Sequence, residues 1–322
     1  MKKNLFLLGL LVCSMVSVAQ TTEKADKPES WYFKLGGSYF NQTASTEFPV
    51  VGGQLPNRDV YAGTLTNNKL VSRESVTGSF GQGFRSGITA GYRFSTRLGV
   101  EMSANYYVSN EKTMAQTTNR LASYNPTTTV ATYVNFTAEG QIKAFDLAPA
   151  IVMFLGEAHG FEPYTKVGVI VPVHGTLDIK TNREYVSFVG ANQVAKTDAY
   201  SKDVVKPNPT LGFMAALGTS YKLGKHISAY AELEYRNFTV HGKSKETTEY
   251  TENGVDKLNE TTTFRAASYS AIHTNYVDKL DVNSNNSLTN PNGVDTTKPM
   301  DELSSYVGIS GLGITVGLKY SL

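Results

Sequence analysis

From Leu312 to the last residue an apolar side chain occupies every second position: Leu312, Ile314, Val316, Leu318, Tyr320 and Leu322. Side chains alternate between the two faces of a strand, so all six point the same way if this segment is extended. The opposite face reads Gly311, Gly313, Thr315, Gly317, Lys319 and Ser321. A strand with one face in water favours long polar side chains there, whereas this face is mostly glycine, which suits a crowded enclosed interior. An apolar face turned to lipid and a small-residue face turned to a lumen is the arrangement of a strand in a membrane-spanning barrel, where closure leaves no unpaired edge in hydrocarbon.

Seven earlier segments repeat the alternation. Their apolar faces are Trp31, Phe33, Leu35, Gly37 and Tyr39; Phe84, Ile88, Ala90, Tyr92 and Phe94; Leu98, Val100, Met102, Ala104 and Tyr106; Phe145, Leu147, Ile151, Met153 and Leu155; Val167, Val169, Val171 and Val173; Leu211, Phe213, Ala215, Leu217, Tyr221 and Leu223; and Ile227, Ala229, Ala231, Leu233 and Tyr235. Each runs about ten residues, the length a tilted strand needs to cross a bilayer. Aromatic residues sit mostly at the segment ends, as interfacial girdles do.

The connections are lopsided. Ser95-Thr96, Gly156 to Gly160 and Gly224-Lys225 are short, whereas 41–83, 109–141, 174–208 and 241–305 far exceed ordinary loop lengths. A secreted lipocalin-like barrel turns its apolar face inward, and a β-sandwich scatters long connections over both ends. The expected fold is therefore all-β: a closed antiparallel up-and-down transmembrane β-barrel of about eight strands, with long extracellular loops and both termini periplasmic. Alternation also continues through 129–137 and 264–276, so strands there extend above the membrane or add a hairpin.

The amino terminus agrees with export. Lys2 and Lys3 precede the apolar run Leu5 to Val12, and Ser17-Val18-Ala19 offers the small residues a signal peptidase reads before Gln20. Cys13, the single cysteine, follows Val12, where a lipoprotein signal carries a small residue. It therefore reads as an inert part of the leader, and the mature chain is expected to have no thiol, disulfide or cysteine metal site. The expected organisation is a signal peptide at 1–19, a short periplasmic segment at 20–30 and a barrel at 31–322. With 30 Lys+Arg against 28 Asp+Glu there is no basic nucleic-acid footprint.

On the closing strand and the dyad pattern, the chain resembles the small eight-stranded outer-membrane barrels typified by the OmpA transmembrane domain, OmpX and related outer-membrane β-barrel domain proteins. The resemblance covers the whole mature chain as architecture. It implies a place in the outer membrane of a Gram-negative bacterium, with outer-membrane lipid and lipopolysaccharide around the barrel. It also implies assembly machinery that reads the carboxy-terminal strand. No peptidoglycan-binding domain is expected after Leu322.

The inward face collects charges: Lys34, Arg85, Arg93, Glu101, Asp146, Lys166, Lys222, Glu232, Glu234, Arg236 and Lys319. Shielded charges must pair or become very costly, so their mixed signs predict an internal salt-bridge network. An eight-stranded barrel has just enough interior for side chains to fill, which favours a plug over an ion path. Glu232 and Glu234 could serve as acid and base, but Arg236 on the same face points to charge neutralisation.

The histidines carry no spacing motif. His159 and His226 fall at short turns, His174 and His241 near outer strand ends, and His273 in the last loop; His174 and His241 with Asp178 or Asp203 make a conceivable rim constellation. Asp281, Asn283 and Asn285 alternate as calcium-loop ligands do, yet Asn286 stands where the turn glycine belongs and Asn292 where the bidentate glutamate belongs, so a solvated polar turn is expected. Gly242 to Glu302 is acidic overall, and would repel lipopolysaccharide phosphates and attract cations or a basic partner. No catalytic residue, cofactor or metal is expected.

The functional expectation is display of surface loops toward another surface protein or a host ligand. The alternatives are a narrow pore or conduit for small apolar molecules, and a rim-sited hydrolase or acyltransferase.

Overall fold

The computed structural model describes residues 30–64, 67–208 and 210–322, so the expected leader lies outside the described residues. Eight strands form a ring: β1 (Ser30–Gln42), β2 (Gly83–Arg93), β3 (Leu98–Ser109), β4 (Val130–Phe154), β5 (Phe161–Val189), β6 (Gly212–Lys222), β7 (Ile227–Asn237) and β8 (Gly311–Ser321). Neighbours pair antiparallel all the way round, and β8 pairs with both β7 and β1, which closes the ring. Each alternating segment read from the sequence lies in one of these strands to within a residue or two. Closure follows from their backbones, because it leaves no free strand edge facing hydrocarbon.

The outward face is a belt of large apolar residues, with Leu35 64%, Ile88 62%, Ile151 62% and Ile314 62% exposed. An apolar surface this continuous is suited to lipid rather than to water. Aromatic residues frame it. Trp31 packs on Tyr92 and Phe161 on Tyr221 at the short-turn end, and Tyr39 packs on Phe84 at the long-loop end. Eight residue steps separate Trp31 from Tyr39, roughly 26 Å of strand, which fits a tilted crossing.

Two of the long connections expected as loops are mostly strand. β4 runs 25 residues and β5 runs 29, well past the belt. The strands Lys112–Asn125, Asn192–Asn208 and Thr239–Glu252 continue β3, β6 and β7 alongside them. The alternation at 129–137 is thus the upper end of β4. These strands persist above the membrane because their inner faces are also apolar: Phe136, Ala138, Ile142, Leu177, Ile179 and Val205 are all buried. Together they form a half-wall, here termed the crown. Its hairpin at Asn253-Gly254 turns through two positive-φ residues, the two-residue turn that matches strand twist.

The first connection adds a hairpin, Asn57–Thr64 with Asn67–Ser75, whose first strand runs parallel to Lys112–Asn125 over Arg58–Val60. The stretch 264–276, expected as strand, instead holds a one-turn helix, α1 (Tyr269–Ile272), before the strand His273–Val277. Ser268 caps α1 by accepting from the Ala271 amide, and a good cap outcompetes extended structure locally.

Between barrel and crown sits the main apolar core, with Phe80 and Met114 fully buried among Phe136, Ile170, Phe238 and Ile309. Phe80 reaches it because Gly81 lies so close to the Ser310 carbonyl that a Cβ would fall 1.9 Å from it. Tyr107 then donates to the Phe80 carbonyl at 2.6 Å.

Candidate functional site

The inward charges meet in three layers. Nearest the short turns, Glu162 accepts from Arg93 at 2.5 Å and from Lys319 at 3.2 Å. In the middle, Glu232 lies 3.1 Å from Lys34 and 2.7 Å from Lys166, while Glu101 lies 2.5 Å from Lys34 and 3.5 Å from Lys166. Above them Arg85 grips Glu234 with two bonds of 2.6 Å, and Arg236 lies 2.7 Å from Asp146. Parity decides this assembly, since each of these residues stands on the small-residue face of its strand.

Neutral groups complete the layers. Tyr32 donates to Glu101 at 3.0 Å and Tyr164 to Glu232 at 2.7 Å. Arg85 also donates to Ser38 and Thr315, and Asn105 donates to Asp146 at 2.9 Å. Buried charges in a crowded lumen are tolerable only when paired and hydrogen-bonded in this way.

Lys222 is a correction to the expected set. It is the last residue of β6, its side chain is 60% exposed, and it pairs with Glu157 in the neighbouring turn at 2.6 Å. Its parity is inward, but at the barrel mouth the side chain is free to leave the lumen for water. Glu162 and the two phenols were missed, although Glu162, Tyr164 and Lys166 alternate and share one face.

A second feature opens sideways. β5 pairs with β6 as far as Ile170 opposite Gly212, and the same register resumes at Leu177 opposite Val205. Between them, 171–176 and 206–211 make no ladder pairs with each other. Pro172 and Pro207 have no N–H to give, and Pro207 and Asn208 pair instead with Gly242 and His241. A register shift between Pro172 and His174 loosens the other edge of β5 as well.

Behind this slot is a cavity of about 280 Å³ with an apolar interior that includes Ile142, Leu177, Val205, Phe238, Val240 and Ile309. Its remaining lining includes His174, Lys206, His241 and Lys243. Val173 and Leu211, which flank the slot, are 58% and 71% exposed. The opening therefore lies where the apolar belt meets the crown.

The rim constellation is not assembled. His174 and His241 do line one cavity, but His241 bonds Ser304 through Nδ1 at 3.0 Å. Asp178 takes Lys143 at 3.5 Å and Asp203 takes the Thr247 hydroxyl at 2.7 Å. The turn at Asp281–Asn285 is not simply solvated either. Buried Asn285 donates to the carbonyls of Asp295 and Pro299 and accepts from the Asp295 amide at 2.7 Å, so it ties the last connection together. Among the described residues no three His, Cys, Asp or Glu side chains cluster as a metal site.

A closed eight-stranded ring with an apolar belt, aromatic girdles and a charged interior defines a transmembrane β-barrel. A family model described as the outer membrane protein beta-barrel domain matches residues 7–267, and the chain belongs to that family. The outer membrane protein OprG from Pseudomonas aeruginosa is a similar solved structure, at 10% identity and TM-score 0.40, covering 92% of this chain and 98% of that one. No curated protein matches the sequence.

Proposed function

We propose that this outer-membrane barrel works through its crown rather than through its lumen, displaying a folded surface outside the cell to a surface protein or host ligand. The single observation that carries this reading is the closed interior. The middle and upper layers of paired charges are buried, the Arg93–Glu162 pair below them is half-buried, and the apolar core of Phe80, Met114 and Phe238 lies above. In this reading residues 31–322 are the barrel, the leader is removed before Gln20, and 20–30 remains in the periplasm with Leu322. Lipid and lipopolysaccharide surround the belt, assembly machinery engages β8, and no catalysis, cofactor or nucleic acid is involved. Single-channel recording on the purified protein in planar bilayers tests it: the plugged barrel gives no steady conductance steps, and regular open events would contradict the reading.

A second reading is favoured by the slot at Pro172 and Pro207. There the wall lacks ladder pairs beside an apolar cavity, so a small apolar molecule can pass between cavity and membrane without crossing the charged lumen. Uptake of a small apolar probe by cells with and without the protein tests that route.

A further inference from the structure

We infer that the side-opening cavity is a binding site for a single-chain amphiphile with a carboxylate head. This rests on the second reading above, that apolar molecules enter at the slot, and adds the chemistry of the head group.

The lining has two chemical zones. Its interior is aliphatic and aromatic, whereas its polar side chains are His174, Thr176, Lys206, His241 and Lys243, with no aspartate or glutamate among them. Lys206 and Lys243 are exposed at the mouth, and among the described residues neither has a carboxylate within 4.0 Å. Most other lysines of the crown wall are partnered: Lys143 by Asp178, Lys180 by Glu111 and Lys196 by Glu184. Two ammonium groups at the entrance of an apolar chamber repel a cationic head and gain nothing from a neutral one. A carboxylate there collects charge-assisted hydrogen bonds while its chain leaves water. The volume is at the small end of ligand sites, about 300 Å³ upward, which suits one short or medium chain and excludes a two-chain lipid.

Binding of decanoate, decanol and decylammonium to the full-length protein in neutral phosphatidylcholine nanodiscs, corrected against empty discs, tests the inference. Saturable decanoate binding at least tenfold tighter than decanol is expected, with decylammonium weakest. Lys206→Gln with Lys243→Gln should bring decanoate to the level of decanol, and these exposed positions leave the heat-modifiable gel migration of the folded barrel unchanged. Val240→Trp, which fills the chamber, should remove binding of both. Equal binding of all three compounds, unmoved by the lysine changes, would overturn the head-group inference and leave an apolar cavity. No saturable binding of any of them would overturn the side-opening reading as well.

Discussion

Arg85 on β2 and Glu234 on β7 are joined across the lumen by two hydrogen bonds of 2.6 Å, although three strand-to-strand steps separate them around the ring. The pair is a strut: it ties β2 to β7 at one distance across the lumen. Arg236, 3.8 Å from the same carboxylate, links that strut to Asp146 on β4. Removing one member should therefore matter more than removing both.

Glu234→Ala leaves a buried guanidinium without its counter-charge, which costs about 3–5 kcal/mol of stability. The urea midpoint of the refolded barrel should fall accordingly, whereas Arg85→Met combined with Glu234→Met should lose much less. Lys222→Ala, at the exposed mouth, should stay within about 0.5 kcal/mol. Equal losses for the single and double lumen variants would show that the strut is not coupled.

Asn285→Ala removes the amide that holds the last connection to the carbonyls of Asp295 and Pro299. Leaving those partners unsatisfied costs about 1–3 kcal/mol locally. Protease added to intact cells should cut within 278–300 faster in the variant, while heat-modifiable migration of the barrel stays normal. Unchanged cleavage would remove Asn285 from its organising role.

The Asp295 carboxyl is held down to about 2, first by the hydroxyl and amide of Thr297 and then by Lys298. A carboxyl whose folded pKa is lowered stabilises the fold above its unfolded value, near 4, and that stability is lost as pH falls from there to about 2. Hydrogen exchange in peptides covering 283–302 should accelerate over this window, beyond the intrinsic pH effect. Asp295→Asn should show the faster exchange already at neutral pH. An identical profile in both proteins would contradict the assignment.

Pro172→Val with Pro207→Val restores two backbone donors to a ladder that already has the same register above and below the gap. Amide exchange through 171–176 should slow about tenfold, and the slot should narrow. If exchange there is unchanged, the missing donors are not what opens the wall.

The eight membrane segments were legible because a lipid-facing wall imposes period two over most of each strand: Leu35, Ile88 and Ile314 could be assigned a face from sequence spacing alone. The same parity identified Lys34, Glu101, Lys166 and Glu232 as inward, and would have found Glu162 had β5 been read from its first residue. Lys222 shows the limit of parity, since orientation at a barrel mouth is decided by the nearest water and by Glu157. The crown was legible only in part: the alternation at 129–137 marked the upper end of β4, whereas Asn192–Asn208 and Thr239–Glu252 mix polar outer faces with short apolar inner runs. Asn285 was illegible because its partners, Asp295 and Pro299, lie ten and fourteen residues away. The slot needed the register on both sides of Pro207, which no local pattern carries.

The most direct test of the account uses single cysteines at Leu288, Gly224 or Ile314 in a chain with Cys13 replaced by serine. Leu288 is 87% exposed in the last connection, Gly224 has open space at a short turn, and Ile314 points out of the belt on β8. An impermeant thiol reagent added to intact cells should label the first position, reach the second only after the envelope is opened, and leave the third protected by lipid. Labelling of the Ile314 position in a soluble periplasmic fraction would contradict the membrane barrel, and labelling of the Gly224 position from outside would invert it.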